Sequence, residues 1–392
     1  MSLDIQEMQT DLVAARVDGW LFYDFRGRDP IAQRILRLPE AMRTRRWFYF
    51  VPVKGTPRKL VHKIEAQALE SLPGETFYYA GLEELEKGLI KILGRAKSVV
   101  MQYSPKNAIP YMSMVDAGTI EMVRGVGTKV VSSADLVQKY EACWTDEQLR
   151  SHEEAGKAID IIVRGAFQHA ATCVRERTAL TEFELKQWIE GGFDAAGLHT
   201  EEGPDVAVGA HASDPHYGPT PETSAPIREG DLLLLDVWGK LKIPGSVYYD
   251  ITWIGYLGKK VPKKYAKVFR AVRNARDKAV ALICSSAAAE KPLQGWQVDK
   301  AARTVIEKAG YGKYFFHRTG HNIGEAVHGN GANMDGLETH DVRRLIPHTC
   351  TSIEPGIYLP EFGIRSEVNV YIEERSARVT GAVQKEILAL LA

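Results

Sequence analysis

The sequence predicts an α+β protein of two domains, a small α/β domain over 1–143 and a larger α+β domain over 144–392. A chain of 392 residues is longer than one typical domain. Through the first domain, aromatic and β-branched runs alternate with segments of helical spacing. Beyond Trp144, pairs of amphipathic helices are each followed by hairpin-like strands, twice over, so the two halves of that domain are built alike without a close sequence repeat.

In the first domain "WLFYDF" (20–25), "RWFYFVPV" (46–53) and "KSVVMQY" (97–103) read as strands, because branched and aromatic side chains suit a pleated surface. "KIEAQALESL" (63–72) and "GLEELEKGLIKILG" (81–94) read as helices. The domain carries no nucleotide-binding glycine pattern and no acidic pair with a histidine nearby, so it reads as a scaffold or an oligomerisation module. In the second domain "TDEQ" (145–148) has the form of a capping box and leads into Ile159, Ile162, Val163, Ala166 and Phe167 at helical spacing. Thr181 with Glu184 caps a second helix. Two more are predicted at 262–289, with Pro262 in its first turn, and at 296–309, ended by Gly310. The strand candidates are "VAVGAHA", "DLLLLDVWG", "VYYDITWIGYLG", "CTSIEPGIYL" and "EVNVYI".

Lys+Arg and Asp+Glu number 50 each, so no overall positive field points to nucleic acid or to a membrane surface. No run approaches the roughly 20 apolar residues of a spanning helix, and the N-terminus does not read as a signal peptide. The cysteines, Cys143, Cys173, Cys284 and Cys350, are far apart and fit no metal-binding spacing, which reads as reduced thiols in the cytoplasm.

The chemistry concentrates in the second domain. Asp236 follows four leucines and Asp250 lies fourteen residues later in "VYYDITW", a spacing that suits a hairpin with "KLKIPGS" at its turn and both carboxylates facing one cleft. Glu354 stands before a Pro-Gly turn in "TSIEPGIY", and Glu367 in "GIRSEVNVYI". Taken singly, each acid has a plain reading as a salt-bridged or solvated side chain. Together, four carboxylates in apolar strands repel one another, and Arg365 alone does not balance them. A pair of divalent cations does. Four carboxylates with one imidazole form a hard, oxygen-rich set suited to Mn²⁺, Fe²⁺ or Co²⁺, with Zn²⁺ also possible. Two of the carboxylates would then bridge ions roughly 3.5–4 Å apart, and a bridging water would become the nucleophile. In "RTGHNIGEAVHGNG" (318–331), His321 and His328 lie seven residues apart among small residues and off any apolar stripe.

The order Asp236, Asp250, His321, Glu354, Glu367, with "GHNIGEAVH", "IEPGIYLP" and "GIRSE", resembles the M24 metallopeptidase family of the pita-bread fold. Within it the likeness is to the branch of prolidases, Xaa-Pro aminopeptidases (aminopeptidase P) and creatinase. The likeness covers about 145–390, and a small α/β domain in front is usual in that branch. It implies that Asp236 chelates one metal, that Asp250 and Glu367 bridge, and that His321 and Glu354 complete the other site. Glu354 would be the general base, His328 would stabilise the tetrahedral intermediate, and His216 with Tyr217 would line the substrate pocket. Arg365 would contact the substrate or the carboxylate ligands. The substrate implied is a peptide with proline after its first residue, and the assembly a homodimer whose N-terminal domain helps close a neighbour's active site. Alternatives are a metal-dependent hydrolase of a non-peptide ester or amide, including organophosphorus compounds, metal-free C–N hydrolysis as in creatinase, and a non-catalytic binding protein on the same fold. The retained ligand set argues against the metal-free route.

Four departures from the family pattern bear on the substrate. The stretch between the two aspartates is longer, "HGNGAN" lacks the usual acid after the second histidine, "GIRSEVNV" lacks the acidic residues that often follow the bridging glutamate, and His348 stands where a turn glycine is common.

Overall fold

The computed structural model describes residues 4–392. The chain divides into two compact units, Met1–Glu141 and Ala142–Ala392, two residues before the expected boundary.

The first unit is built on strands β1 (Gly19–Asp24), β2 (Trp47–Pro52), β3 (Arg58–His62), β4 (Glu75–Tyr79), β5 (Ser98–Met101) and β6 (Lys129–Ser132), in the order β4-β3-β2-β1-β5-β6. Only β2 runs against its neighbours; the other pairings are parallel. Every residue of β1 is buried, Trp20 and Phe22 among Met8, Ile31 and Val137 on one face, Leu21 and Tyr23 among Leu85, Leu89 and Ile120 on the other. A sheet covered on both faces needs this kind of unbroken apolar run. The helix expected at 81–94 forms as Leu82–Leu93. The one expected at 63–72 does not: a single 3₁₀ turn, Lys63–Glu65, gives way to further turns. So short a segment is marginal as a helix on propensity alone, and here the Glu65 carboxylate is drawn to Thr44 and to the Arg45 amide.

The second unit holds the four expected helices as Asp146–Glu176, Glu182–Ala195, Lys263–Ala288 and Gly295–Lys308. Both Thr capping boxes form, while Pro262 is the N-cap residue and not part of the first turn. Its strands are β7 (Leu198–His199), β8 (Asp205–Val208), β9 (Leu232–Leu241), β10 (Tyr249–Tyr256), β11 (Asn322–Ile323), β12 (Thr349–Ile353), β13 (Gly356–Leu359), β14 (Phe362–Arg365), β15 (Val368–Ile372), β16 (Ala377–Thr380) and β17 (Leu388–Ala389). One sheet runs β17-β10-β9-β7 with β8 also on β9, a second runs β11-β12-β15-β16, and β13 pairs with β14. The expected strand "CTSIEPGIYL" is thus two strands broken at Glu354–Pro355, where proline has no N–H for a ladder. Likewise "VAVGAHA" leaves the sheet at Val208 for a 3₁₀ turn, Gly209–Ser213.

The four leucines before Asp236 alternate between two cores. Leu233 and Leu235 pack with Ile159, Val163 and Ile189 of the first helix pair, and Leu232 and Leu234 with Val272, Val298 and Val370 on the side of the second. The two-residue period therefore assigns Asp236 to the second side. His152 ties the first long helix to this frame, its ring nitrogens 2.6 Å from the Tyr248 carbonyl and 2.7 Å from Thr380 Oγ1. Burial pushes the His152 imidazole down to about 4.

Two outcomes follow from this packing. A Cβ on Gly320 would meet the Ser352 carbonyl oxygen at 2.0 Å, whereas nothing lies within 4 Å of one on Gly191 in a helix interior. Gly320→Ala lowers the unfolding midpoint by the equivalent of about 1–3 kcal/mol and Gly191→Ala raises it by roughly 0.5–1 kcal/mol, both read by scanning calorimetry. His152 is neutral in the folded protein with its pKa depressed, so its contribution is present above the unfolded imidazole pKa of about 6.5. That contribution is lost as pH falls toward about 4, and a His152→Phe variant shows a shallower loss of thermal stability over that window.

Candidate metal centre

β9 and β10 pair with Asp236 directly opposite Thr252 and Asp250 opposite Trp238. Direct partners share a face, and so do alternate residues of one strand, so both aspartates and Thr252 point to the same side. The segment between them is more than a turn. Val247 and Tyr248 are fully buried with Trp144, Ile323, Cys350 and Tyr371. His321 stands just before β11, Glu354 just after β12, Arg365 at the end of β14 and Glu367 just before β15. The Glu367 amide donates to the Thr252 carbonyl (3.2 Å), which brings the second sheet onto the first.

The expected ligands gather here. Asp250, His321 and Glu367, all buried, each offer an atom within 4.8 Å of the others'. His321 Nε2 lies 3.5 Å from Asp250 Oδ2 and 3.3 Å from Glu354 Oε1. His321 Nδ1 sits 3.1 Å from the Asn322 carbonyl oxygen, which accepts only from an N–H, so Nε2 is left as the bare nitrogen that a metal takes. Ser352 Oγ accepts from the His321 amide and donates to Glu354 Oε1, both at 3.0 Å. Thr252 Oγ1 stands 2.7 Å from Asp236 Oδ1 and 2.9 Å from Glu367 Oε2. One hydroxyl proton serves one carboxylate at a time. Glu367 Oε1 is buried with no hydrogen-bond partner among the described residues.

The charge pattern follows from the crowding. Burial, then the charge of Asp236, pushes Asp250 well above the ordinary carboxylate range. Burial, then Asp250, Glu354 and Asp236, does the same to Glu367. Glu354 is also raised, burial outweighing the pull of His321 and Arg365. Carboxylates that hold protons for want of positive charge, an orphaned glutamate oxygen and a bare imidazole nitrogen are what a hard divalent cation would satisfy. The residues fit such an ion.

Arg365 is consumed by the ligands. Its Nη2 meets Asp236 Oδ2 at 2.5 Å, its Nε meets Thr252 Oγ1 at 3.0 Å, and its Nη1 meets the Tyr358 hydroxyl at 3.0 Å. Of the two contacts expected of Arg365, this is the one to the carboxylates. His328 packs edge-on against His321, ring centroids 4.4 Å apart. The His321 ring against it, then burial, pushes His328 down to about 3. His216 is exposed, its amide held by Asp214 Oδ1. The Tyr217 hydroxyl turns away to Glu182 Oε2 (2.7 Å) and the Thr223 carbonyl (3.1 Å), with its ring on His211. The glycines of "HGNG" have a local cause, since a Cβ on Gly329 or Gly331 would lie 2.3 or 2.5 Å from Asn322. His348 adopts φ +62°, the left-handed backbone that a turn glycine would take, and bonds to Tyr371 and Glu374, not to this centre.

Several residues of the centre went unnoticed in the sequence. Thr252 had a signal, two residues after Asp250 on the same strand face. Tyr358 had none; its hydroxyl lies 2.8 Å from His317 Nε2, and His317 Nδ1 is 2.7 Å from the Arg318 carbonyl. Glu182 had none either. Fully buried, it accepts from the Val208 and Ala225 amides, from His211 and from Tyr217, and so closes the loop that carries His216. Asp205 in β8 stands directly opposite Asp236. Burial, then Asp236, pushes Asp205 up to about 7.

Among known proteins, the model of metallopeptidase family M24 matches residues 151–374. An Xaa-Pro dipeptidase of Lactobacillus helveticus is 31% identical over 242 residues, which is 61% of this chain and 59% of that protein's own length. A solved dipeptidase PepE from Mycobacterium ulcerans superposes with a TM-score of 0.70 at 22% identity, covering 98% of this chain and 96% of that one. A solved prolidase from Thermococcus sibiricus does so at 0.62 and 19%, covering 99% and 100%. These neighbours share the pita-bread fold, and with the family model matched across more than half its length, this chain belongs to metallopeptidase family M24.

Proposed function

We propose that the chain is a metal-dependent peptidase that cleaves the bond before a proline, using two divalent ions held by Asp236, Asp250, His321, Glu354 and Glu367. Mn²⁺ is the first choice, by the hardness of the donor set. Support comes above all from one observation, the bare His321 Nε2 aimed at Asp250 and Glu354 beside the unpartnered Glu367 oxygen. When bound, such ions supply Lewis acidity toward a carbonyl and acidify a water.

The chain's own groups supply the rest. Glu354, ionised once cations are bound beside it and with its proton affinity raised by burial, would take a proton from the attacking water and pass it to the leaving proline nitrogen. His328 is neutral and donates an N–H to the oxygen of the tetrahedral intermediate. His216, exposed on its loop, would line the substrate pocket. Arg365 holds Asp236 and Thr252 in place. Proline has no amide hydrogen, so a site that polarises the carbonyl, and does not need to bond that hydrogen, accepts it. We also propose a homodimer in the cytoplasm, in keeping with the family likeness; light scattering at assay concentration should return twice the chain mass, and an active monomer contradicts it. All four cysteines are free.

Elemental analysis after Mn²⁺ loading is expected to find about two ions per chain and about one or fewer in Glu367→Gln. Equal metal content in both would remove Glu367 from the ligand set. The raised pKa values of Asp250 and Glu367 favour their protonated forms in the metal-free protein. Loading therefore releases protons, and affinity falls as pH drops, both measurable by calorimetry in buffers of different ionisation enthalpy. With Mn²⁺ bound, Ala-Pro and Ala-Pro-Gly are hydrolysed and Ala-Ala far more slowly; equal rates would refute the preference. His328→Ala keeps its metal and loses turnover by about 10²–10³.

A further inference from the structure

We propose that Asp205 is a specificity-determining residue that receives a cationic group of the substrate. This rests on the peptidase reading and adds a residue to it. β8 lies against β9 with Asp205 opposite Asp236 and Ala207 opposite Leu234. Ala207 and Leu234 belong to the core on the centre's side of the sheet, while Val206 and Val208 belong to the other, so the two-residue period turns the Asp205 carboxylate to the same side as the metal aspartates. Across from it comes the loop of His216. A Cβ on Gly218 would sit 3.4 Å from Asp205 Oδ1. Asp205 thus stands between a candidate ligand and the segment that carries His216.

Its carboxylate has no partner: among the described residues, it accepts no hydrogen bond and joins no ion pair within 4.0 Å. The two cations whose charge reaches it are committed elsewhere. Arg365 is spread over Asp236, Thr252 and Tyr358, and Lys186 Nζ donates to the Glu202 carbonyl at 3.2 Å. A half-buried carboxylate beside a second one favours a cation in its vicinity, and the group that arrives in this cleft is the substrate. Two parts of a peptide supply such a group, the α-ammonium of its first residue and a lysine or arginine side chain.

The test is calorimetric binding to the Mn²⁺-loaded protein of non-hydrolysable ketomethylene isosteres of Ala-Pro and Lys-Pro, each with a free and an N-acetylated amine. Wild type and Asp205→Asn are compared, with metal content measured in both. If Asp205 reads the α-ammonium, acetylating the Ala-Pro isostere weakens binding to wild type by about tenfold or more, the scale of a hydrogen bond to a charged group. The same change weakens binding to Asp205→Asn about threefold or less. If it reads the side chain, the acetylated Lys-Pro isostere outbinds the acetylated Ala-Pro isostere in wild type only. Asp205→Asn keeping both wild-type ratios at equal metal content overturns the proposal and leaves the peptidase reading standing. Failure of all four ligands to bind wild type sinks both.

Discussion

Asp236, Asp250, Glu354 and Glu367 converge where water is scarce, and carboxylates so placed cannot all stay ionised without positive charge among them. Much of the surrounding structure answers that repulsion. Arg365 neutralises one of the four and orients it. Thr252 spaces two of them with a single hydroxyl. His321 offers its unprotonated nitrogen to two more. What these groups leave undone, raised proton affinities at Asp250 and Glu367 and a bare glutamate oxygen, is a demand that a divalent ion would meet.

The fold delivers these side chains through strand ends and one hairpin register. β9 is buried on both faces, so its leucines alternate between two cores and its aspartate inherits a defined side. A slip of one residue in the β9–β10 pairing would send Asp250 and Thr252 to the opposite core, away from Asp236. The register is held by packing on both faces and by Gln384, which bonds both the amide and the carbonyl of Ile254. Glu354 and Glu367 sit at breaks in the ladders, where a proline or a strand end frees the chain to turn a side chain inward.

Around this base the loops that carry His216 and His328 are pinned, not free. Glu182 bonds to backbone and side chains on both ends of the segment from Val208 to Ala225, and Asn322 is wrapped by the glycines beyond His328. Buried, fully bonded anchors of this kind hold the loop of an exposed histidine such as His216 in place without burying it.

Two capping boxes, four long helices, the β9–β10 hairpin and the five candidate ligands were legible in the sequence, because each depends on residue type at short spacing or on a two-residue period. The helix read into 63–72 failed for the complementary reason: a distant pair, Thr44 and Arg45, drew Glu65 into another arrangement. The same limit hid Asp205, Glu182 and Tyr358, whose partners lie in other segments, and left the partner of Arg365 undecided. Which face a strand residue takes is a local property of the pleat. Which groups await it there is decided only when sheets and loops separated in sequence pack together.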